Sequence, residues 1–256
     1  MEILVTDFTL IVLIFVRIMS AFAATPIYSH TSIPTQVKIF ISFIIAFIIF
    51  SITSPANIAV EFNAWWLFGM AIKEVVVGLI IGFSINLIFY GFNFAGTFIG
   101  FDMGLAMAQV MNPIEKTNGN VVGQVIYFMA LMIFFIIDGH HYIIRALSYS
   151  FQVIPIGEFQ GSEAFFELMV KYSASVFIIA VKIASPILVS FFLIHVAEGV
   201  LAKMIPQMQV FFVTQPLKIG VGFVLLGSIL PIYFYTIKNL LVEFEDKLYI
   251  LVKAMG

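Results

Sequence analysis

The residues with the greatest potential for chemistry form the short run Asp138-Gly139-His140-His141. A carboxylate and two imidazoles are groups that ligate divalent transition metals. Adjacent histidines point to different faces of a helix, so this pair is a poor metal clamp unless further ligands come from elsewhere. We therefore interpret Asp138-Gly139 as a break after an apolar run, with the histidines at a polar boundary, and predict no metal and no cofactor.

Three common catalytic motifs are absent from the sequence. There is no glycine-rich phosphate loop ending in Lys-Ser/Thr, no Gly-x-Ser-x-Gly and no His-Glu-x-x-His. The sequence has no cysteine, which excludes disulfides, thiolate metal sites and a cysteine nucleophile. We predict that the protein is not an enzyme. The net charge of −2 gives no indication of nucleic-acid binding.

A different kind of chemistry is suggested by the segment GFDMGLAMAQVMNP, residues 100–113. Met103, Met107 and Met111 are four residues apart and would form one stripe on a helix. Such a stripe is most often part of a core, because the unbranched methionine side chain fills irregular gaps. The same adaptability suits a seal that must open and reclose against surfaces of different shape.

The composition identifies the setting of these residues as a membrane. The 256 residues are 62% hydrophobic and 10% charged, whereas soluble domains average about 25% charged residues. A soluble fold of this length could not bury so much apolar surface. We predict an all-α protein that crosses a bilayer several times, because in lipid the backbone polar groups must be satisfied within helices.

Six apolar runs are long enough, or nearly so, to span a bilayer, for which about 20 residues are needed. They cover approximately residues 8–24, 39–54, 66–90, 121–137, 173–197 and 210–237. The second run is predicted to end near Ser54-Pro55, since proline does not continue a hydrogen-bonded helix. Residues 142–153 are predicted to form an interfacial helix closed by Pro155-Ile156-Gly157, and the tail from Lys238 an amphipathic one.

Charges within or against these runs require an explanation. A charge at the bilayer centre costs about 3 kcal/mol or more unless it faces protein or water. Near the ends of a span, a charged side chain can reach the interface or pair locally. Lys182 lies about ten residues into its run, so we predict that it faces a partner or a water-filled path. The charges concerned are Arg17, Lys73, Glu74, Asp102, Lys182, Glu198, Lys203 and Lys218.

Glycines at helical spacing indicate close helix packing. Gly78 and Gly82 are four residues apart on the third run, and Gly96, Gly100 and Gly104 continue at that spacing. Small residues at this period let helix backbones approach closely, which favours association in lipid. We predict that these five glycines pack against other helices of this chain or of a partner.

Two stretches of the sequence resemble a known family. DGHHYIIRALSYSFQVIPIG (138–157) and EGVLAKMIPQMQVFFVTQPLKIGVG (198–222) are similar to FliR, the flagellar biosynthesis family of the type III export apparatus. In that family Asp/Asn-Gly-His opens a segment ending in Pro-Ile-Gly. A later segment reads Gly-Leu-Leu-x-Arg/Lys-x-x-Pro-Gln, then Val-Phe, then Pro-Leu-Lys. The matching positions are Asp138, Gly139 and His140; Pro155, Ile156 and Gly157; Gly199, Lys203, Pro206 and Gln207; and Val210, Phe211, Pro216, Leu217 and Lys218.

The resemblance extends over nearly the whole chain and is most specific between residues 100 and 222. It implies a FliP-like helical part over residues 1–170 and a FliQ-like helical hairpin with a C-terminal tail over residues 171–256. One departure is Thr214-Gln215, where the family usually has Gly-Phe before Pro-Leu. Family members are also held largely out of the bilayer plane, which would let charges in apolar runs face partner subunits or a pore.

The resemblance implies a non-enzymatic core subunit of the flagellar protein export gate, located in the bacterial inner membrane within the basal body. Its implied partners are FliP, FliQ and FlhB, together with the unfolded flagellar proteins that are exported. The family's central loop, a plug in the pore, matches about residues 105–113. We therefore predict that the plug comprises Leu105, Met107, Val110 and Met111, with Met103 at its base.

Contacts with partner subunits are expected mainly on the last two helices. For Lys203 and Lys218 the alternative is an ordinary lysine at the end of a span, and Pro206-Gln207 is expected to form a tight turn. The predicted contact residues are Lys182, Lys203, Pro206, Gln207, Phe211 and Lys218. Two other functions stay open: the equivalent SctT subunit of a virulence secretion system, and, more remotely, a secondary transporter for a small solute.

Overall fold

The computed structural model describes residues 2–29, 33–53, 64–105 and 121–256. Within these ranges every regular element is a helix and no strand occurs, so the predicted all-α class is confirmed. The helices are α1 (Glu2–Ala24), α2 (Pro26–Ser29), α3 (Thr35–Thr53), α4 (Ala64–Asp102), α5 (Val121–Ile136), α6 (Gly139–Val153), α7 (Glu163–Met204) and α8 (Val210–Ala254).

Five of the described helices, α1, α3, α4, α7 and α8, are long and apolar enough to cross a membrane. A sixth is reached if α5 and α6 together are counted as one broken span, which agrees with the predicted number. Three helices are much longer than predicted: α4 has 39 residues, α7 has 42 and α8 has 45. The tail from Lys238 is therefore part of α8 rather than a separate helix.

The predicted break at Asp138-Gly139 is confirmed. Helix α5 ends at Ile136 and α6 begins at Gly139. Between them, Asp138 adopts a left-handed backbone with φ 59°, a conformation that aspartate tolerates better than β-branched residues do. Helix α6 ends at Val153, and Ile154 separates it from the Pro155-Ile156-Gly157 turn.

The chain divides into two compact units. Unit 1 comprises Met1–Leu87, Asp138–Ser173 and Val242–Gly256, and unit 2 comprises Ile88–Ile137 and Ala174–Leu241. Helices α4, α7 and α8 contribute residues to both units. The predicted division near residue 170 concerns likeness to two other proteins, which contacts within this chain do not test, and it stays a prediction.

Each unit has an apolar interior of its own. In unit 1 the fully buried side chains include Ile14, Ile18 and Phe22 of α1. In unit 2 Phe89 of α4 makes edge-to-face contacts with the rings of Tyr127 and Phe134 of α5, with ring centroids 5.8 and 5.7 Å apart. This aromatic geometry joins α4 to α5.

Candidate functional site

A buried ion pair joins Arg17 of α1 to Glu74 of α4 in unit 1. Arg17 Nε donates to Glu74 Oε2 at 2.6 Å, and Nη2 donates to Oε1 at 3.1 Å. Nη1 donates to the Ser150 carbonyl oxygen at 3.1 Å and Nη2 to that of Ile154 at 3.1 Å. The Phe151 ring centroid lies 4.1 Å from the guanidinium carbon. The guanidinium thereby links α1, α4 and α6 through charge-assisted bonds.

The turn after α6 is held by two neighbouring residues of α4. The Gly157 N–H donates to Glu74 Oε1 at 2.8 Å, and Lys73 Nζ donates to the Gly157 carbonyl oxygen at 2.8 Å. Gly157 has φ 81°, and a Cβ at this position would overlap the Met70 side chain. The Lys73-Glu74 pair thus satisfies both backbone polar groups of a turn that requires glycine.

Gly78 and Gly82 of α4 lie directly against α1. A Cβ added at Gly78 would overlap the Ser20 hydroxyl and the Arg17 carbonyl oxygen, and one added at Gly82 would overlap the Ala21 carbonyl oxygen. In both cases the obstacle includes backbone, which cannot move aside as a flexible side chain can. The close approach of α1 and α4 therefore depends on these two glycines.

The three glycines of the second run, Gly96, Gly100 and Gly104 in unit 2, have different surroundings. A Cβ at Gly96 would lie 2.5 Å from the backbone nitrogen of Gly123 in α5, so two glycines meet there. Gly100 is buried on α4. Gly104 lies beyond the end of the helix, with φ 80° and the Gln215 side chain over its α-carbon. Its place is in a turn, so the helical spacing read from the sequence does not describe it.

Met103, the predicted base of the plug, is fully buried in unit 2. Its side chain occupies the space above Gly222 of α8, where an added Cβ would lie 2.6 Å from the Met103 methyl carbon. Leu105 is half-buried. Met107, Val110 and Met111 lie outside the described residues. Helix α4 ends at Asp102, so Met103 follows the helix rather than opening a helical stripe.

A charged cluster joins α7 to α8 in unit 2. Lys218 Nζ lies 2.7 Å from Glu198 Oε2, and the Lys218 and Glu198 side chains are 4% and 15% exposed. His195 Nδ1 lies 3.2 Å from the same carboxylate oxygen and 3.2 Å from Lys218 Nζ. Glu198 therefore neutralises a lysine that would otherwise be buried without a counter-charge.

Comparison with known proteins shows the family of this chain. Residues 8–244 match the sequence profile of the family described as bacterial export proteins, family 1. A flagellar biosynthetic protein FliR from Bacillus subtilis (strain 168) is 33% identical over 236 residues, covering 91% of this chain and 90% of that protein. The chain belongs to the FliR family.

Two further FliR proteins are also similar to this chain over most of its length. The protein from Escherichia coli (strain K12) is 31% identical over 84% of this chain and 82% of its own length. The protein from Aquifex aeolicus (strain VF5) is 27% identical over 92% of this chain and 90% of its own length. The predicted resemblance is thus confirmed. The chain is a member of a flagellar biosynthetic export family, a non-enzymatic kind of protein, with several helices suited to a membrane.

The residues predicted to contact partner subunits lie mostly at the surface. Lys182 and Lys203 are exposed on α7, and Pro206 and Gln207 are exposed in the turn between α7 and α8. Phe211, at the start of α8, is 47% exposed. These five residues stay predicted contacts. Lys218 carries the same prediction, although within the chain its ammonium already bonds Glu198.

The side chains of Asp138, His140 and His141 lie closer together than the sequence predicts. One potential ligand atom of each residue lies within 4.8 Å of the others, contrary to the expectation that adjacent histidines diverge. The reason is local: His140 and His141 occupy the first turn of α6, and their ring centroids lie 4.2 Å apart. Asp138 and His141 have 69% and 57% exposed side chains. Exposed groups of this kind commonly occur together without a metal.

The sequence indicates the charges in the apolar runs but not their partners. Arg17 and Glu74 both stand in apolar runs, and their opposite signs are the one signal in the sequence that they could pair. Gln215 differs in the sequence only as a departure from the family pattern. Nothing in the sequence indicates that Gly222 faces Met103.

Proposed function

We propose that this chain is a non-enzymatic core subunit of the flagellar type III protein export gate, where it forms and gates the protein-conducting channel with FliP and FliQ. The observation that carries the proposal is the FliR family match over residues 8–244. The three relatives described above are all flagellar biosynthetic proteins. On this proposal the gate lies in the inner membrane within the basal body, FlhB is a neighbouring partner, and unfolded flagellar proteins are the cargo.

Helix length supports a subunit that is not confined to one bilayer. With 39 to 45 residues, the longest helices measure about 60–70 Å at 1.5 Å per residue. The hydrocarbon core of a bilayer is only about 30 Å thick. Helices of this length are expected in an assembly whose subunits pack on one another beyond the membrane core.

The charge pattern supports the same proposal. Arg17, Glu74 and Lys218 are buried with counter-charges inside the chain. Lys182 is exposed on an apolar stretch of α7, where lipid would be an unfavourable neighbour for its charge. In the proposed gate Lys182 faces a partner subunit, and Lys203, Pro206, Gln207, Phe211 and Lys218 lie at or near the same contact.

The α7–α8 pair supports a hairpin within residues 171–256. The two helices are joined by a short turn in which Met208 N donates to the Ile205 carbonyl oxygen at 3.1 Å. In the proposed assembly this hairpin takes the place of a FliQ-like subunit. Residues 1–170 take the place of a FliP-like one.

Within the gate, residues 105–111 act as the movable seal, with Met103 buried at its base. We expect a complete gate carrying a deletion of residues 105–111 to leak ions. The control replaces the same seven residues with serine and glycine, which keeps the chain length and removes the apolar side chains; it should also leak. Conductance of the purified gate in a planar bilayer is the measurement. An assembled, ion-tight gate with the deletion would refute the seal.

The flagellar role is tested separately by an in-frame deletion of the gene. Loss of filaments in electron micrographs and of flagellin from the medium, both restored by the intact gene, is the expected result. Normal filaments would contradict the flagellar assignment and favour the SctT role in a virulence secretion system.

A further inference from the structure

The end of α4 is capped by a side chain from another helix. Helix termini leave their last carbonyl oxygens without an intrahelical donor. Here Gln215 of α8 donates from Nε2 to the Met103 carbonyl oxygen at 3.3 Å. Gly104 follows in the left-handed conformation that commonly ends a helix, with φ 80°. Gln215 therefore satisfies a carbonyl group at the point where the chain leaves α4.

Two glycines make room for this contact. A Cβ at Gly104 would overlap the Gln215 amide, so the amide lies directly on the Gly104 α-carbon. Gly222 similarly admits the Met103 side chain against α8. Gln215 and Gly222 are seven residues apart, which puts them on one face of α8 two turns from each other. Met103 and Gly104 are thus held at two points along a single helix face.

The neighbouring Thr214 makes its hydrogen bonds away from the end of α4. Its hydroxyl donates to the Val210 carbonyl oxygen of α8 at 3.0 Å and also interacts with the Glu198 carboxylate of α7. Of the two residues that depart from the usual Gly-Phe, only Gln215 reaches α4. A phenylalanine at this position would have no donor for the Met103 carbonyl oxygen.

We propose that Gln215 is a positioning residue that fixes the exit of α4, Met103-Gly104, on α8. The proposal deepens the proposed function, because the segment that follows Gly104 is the one assigned there to the seal. Gln215 fixes where that segment starts. Gln215 takes no part in the seal itself and contacts no exported protein.

The test uses the absence of cysteine from the chain. Leu105→Cys gives this chain a single thiol next to the contact, and its labelling is followed on this chain in the complete gate in membrane vesicles. The rate of its modification by a small maleimide is compared with and without Gln215→Leu, which keeps the approximate size and removes the donor. A single hydrogen bond of ordinary strength predicts a roughly fivefold faster reaction when it is lost.

Two controls separate a local from a general effect. Thr214→Val removes the adjacent hydroxyl and should leave the Leu105→Cys rate unchanged. A cysteine at Met132, a 68% exposed residue of α5 in the same unit, should react at the same rate with or without Gln215→Leu. Gly104→Ala, which displaces the amide, should raise the Leu105→Cys rate as Gln215→Leu does, and the two changes together should add little.

An unchanged Leu105→Cys rate in the Gln215→Leu gate would overturn the proposal. Equal acceleration at Leu105→Cys and Met132→Cys would also overturn it, since that result means general loosening. Should Gln215→Leu fail to accumulate, Gln215→Glu, which also lacks the donor at neutral pH, is judged by the same criteria. The labelling rate does not depend on conduction, so a failure of the seal in the 105–111 deletion is distinguishable from a failure of Gln215 as a positioning residue.

Discussion

The side chains of Arg17 and Glu74 neutralise each other in the interior of unit 1, although 57 residues separate them in the chain. Both are at most 1% exposed, and they meet through two hydrogen bonds. Ser150, Ile154 and Gly157 satisfy further donors and acceptors of the same two groups. Each charge alone would be unfavourable in an apolar run. Together they form a hydrogen-bonded network that joins α1, α4 and α6.

Glu74→Ala should strongly destabilise the protein. The change leaves the Arg17 guanidinium buried without a counter-charge and the Gly157 N–H without its acceptor. Breaking a buried pair from one side costs about 3–5 kcal/mol. We expect a lower midpoint of thermal unfolding for the detergent-purified protein and less protein in membranes.

The matched control for Glu74→Ala is Glu243→Ala. It breaks the exposed ion pair between Glu243 and Lys247, in which Lys247 Nζ lies 2.7 Å from Glu243 Oε1. An exposed pair contributes about 0–1 kcal/mol, so its midpoint should hardly change. Equal midpoints for the two variants would contradict a structural role for the buried network.

Gly78→Ala should destabilise the packing of α1 on α4. The new methyl group would meet the Arg17 carbonyl oxygen and the Ser20 hydroxyl, and overpacking of this kind costs about 1–3 kcal/mol. Gly69→Ala on the same helix is the control, because an added Cβ there meets nothing within 4 Å. Alanine at that position should be neutral or stabilising by up to about 1 kcal/mol. The denaturant midpoint of unfolding is measured for both variants. An unchanged midpoint for Gly78→Ala would show that α1 and α4 are not in close contact.

Glu198→Ala should destabilise the isolated chain, because it removes the carboxylate that neutralises the buried Lys218 ammonium and leaves the His195 imidazole and the Phe211 ring beside it. Lys203→Ala, which removes an exposed lysine of α7, should leave the thermal midpoint unchanged. If Lys218 served only as a contact with another subunit, Glu198→Ala would leave the isolated chain intact and weaken only assembly. Comparing thermal unfolding with recovery of the complete gate distinguishes the two roles.

Asp138→Gly should be tolerated. Asp138→Ile should destabilise the protein by about 1–2 kcal/mol, because a β-branched residue is unfavourable in the left-handed conformation. The reason is the φ of 59° at this position. Filament assembly and thermal midpoint are the measurements. If a metal bound at Asp138, His140 and His141 were required instead, Asp138→Gly would fail as Asp138→Ile does, and added chelator would reproduce the defect in the parent.

Much of the fold was predictable because it follows from composition and local signals. The start of α8 at Val210 and the end of α5 before Asp138-Gly139 follow from the length of apolar runs and from helix-breaking residues. The full lengths of α4, α7 and α8 were not predictable in this way. Hydropathy marks the most apolar part of a helix, whereas the glycine-rich residues 91–102 of α4 and the charged residues 238–254 of α8 continue their helices without a long apolar run.

The sequence by itself determined the class of the protein, its family and the residues that needed explanation: charges in apolar runs, glycines at helical spacing and the Thr214-Gln215 departure. Those properties are local, or depend on the order of short motifs along the chain. Only the tertiary structure decided that Arg17 meets Glu74, that Lys218 meets Glu198, and that Gln215 caps the end of α4 at Met103. Each of these contacts joins distant segments, and their partners are set by how the helices pack, which the periodicity of one helix does not encode.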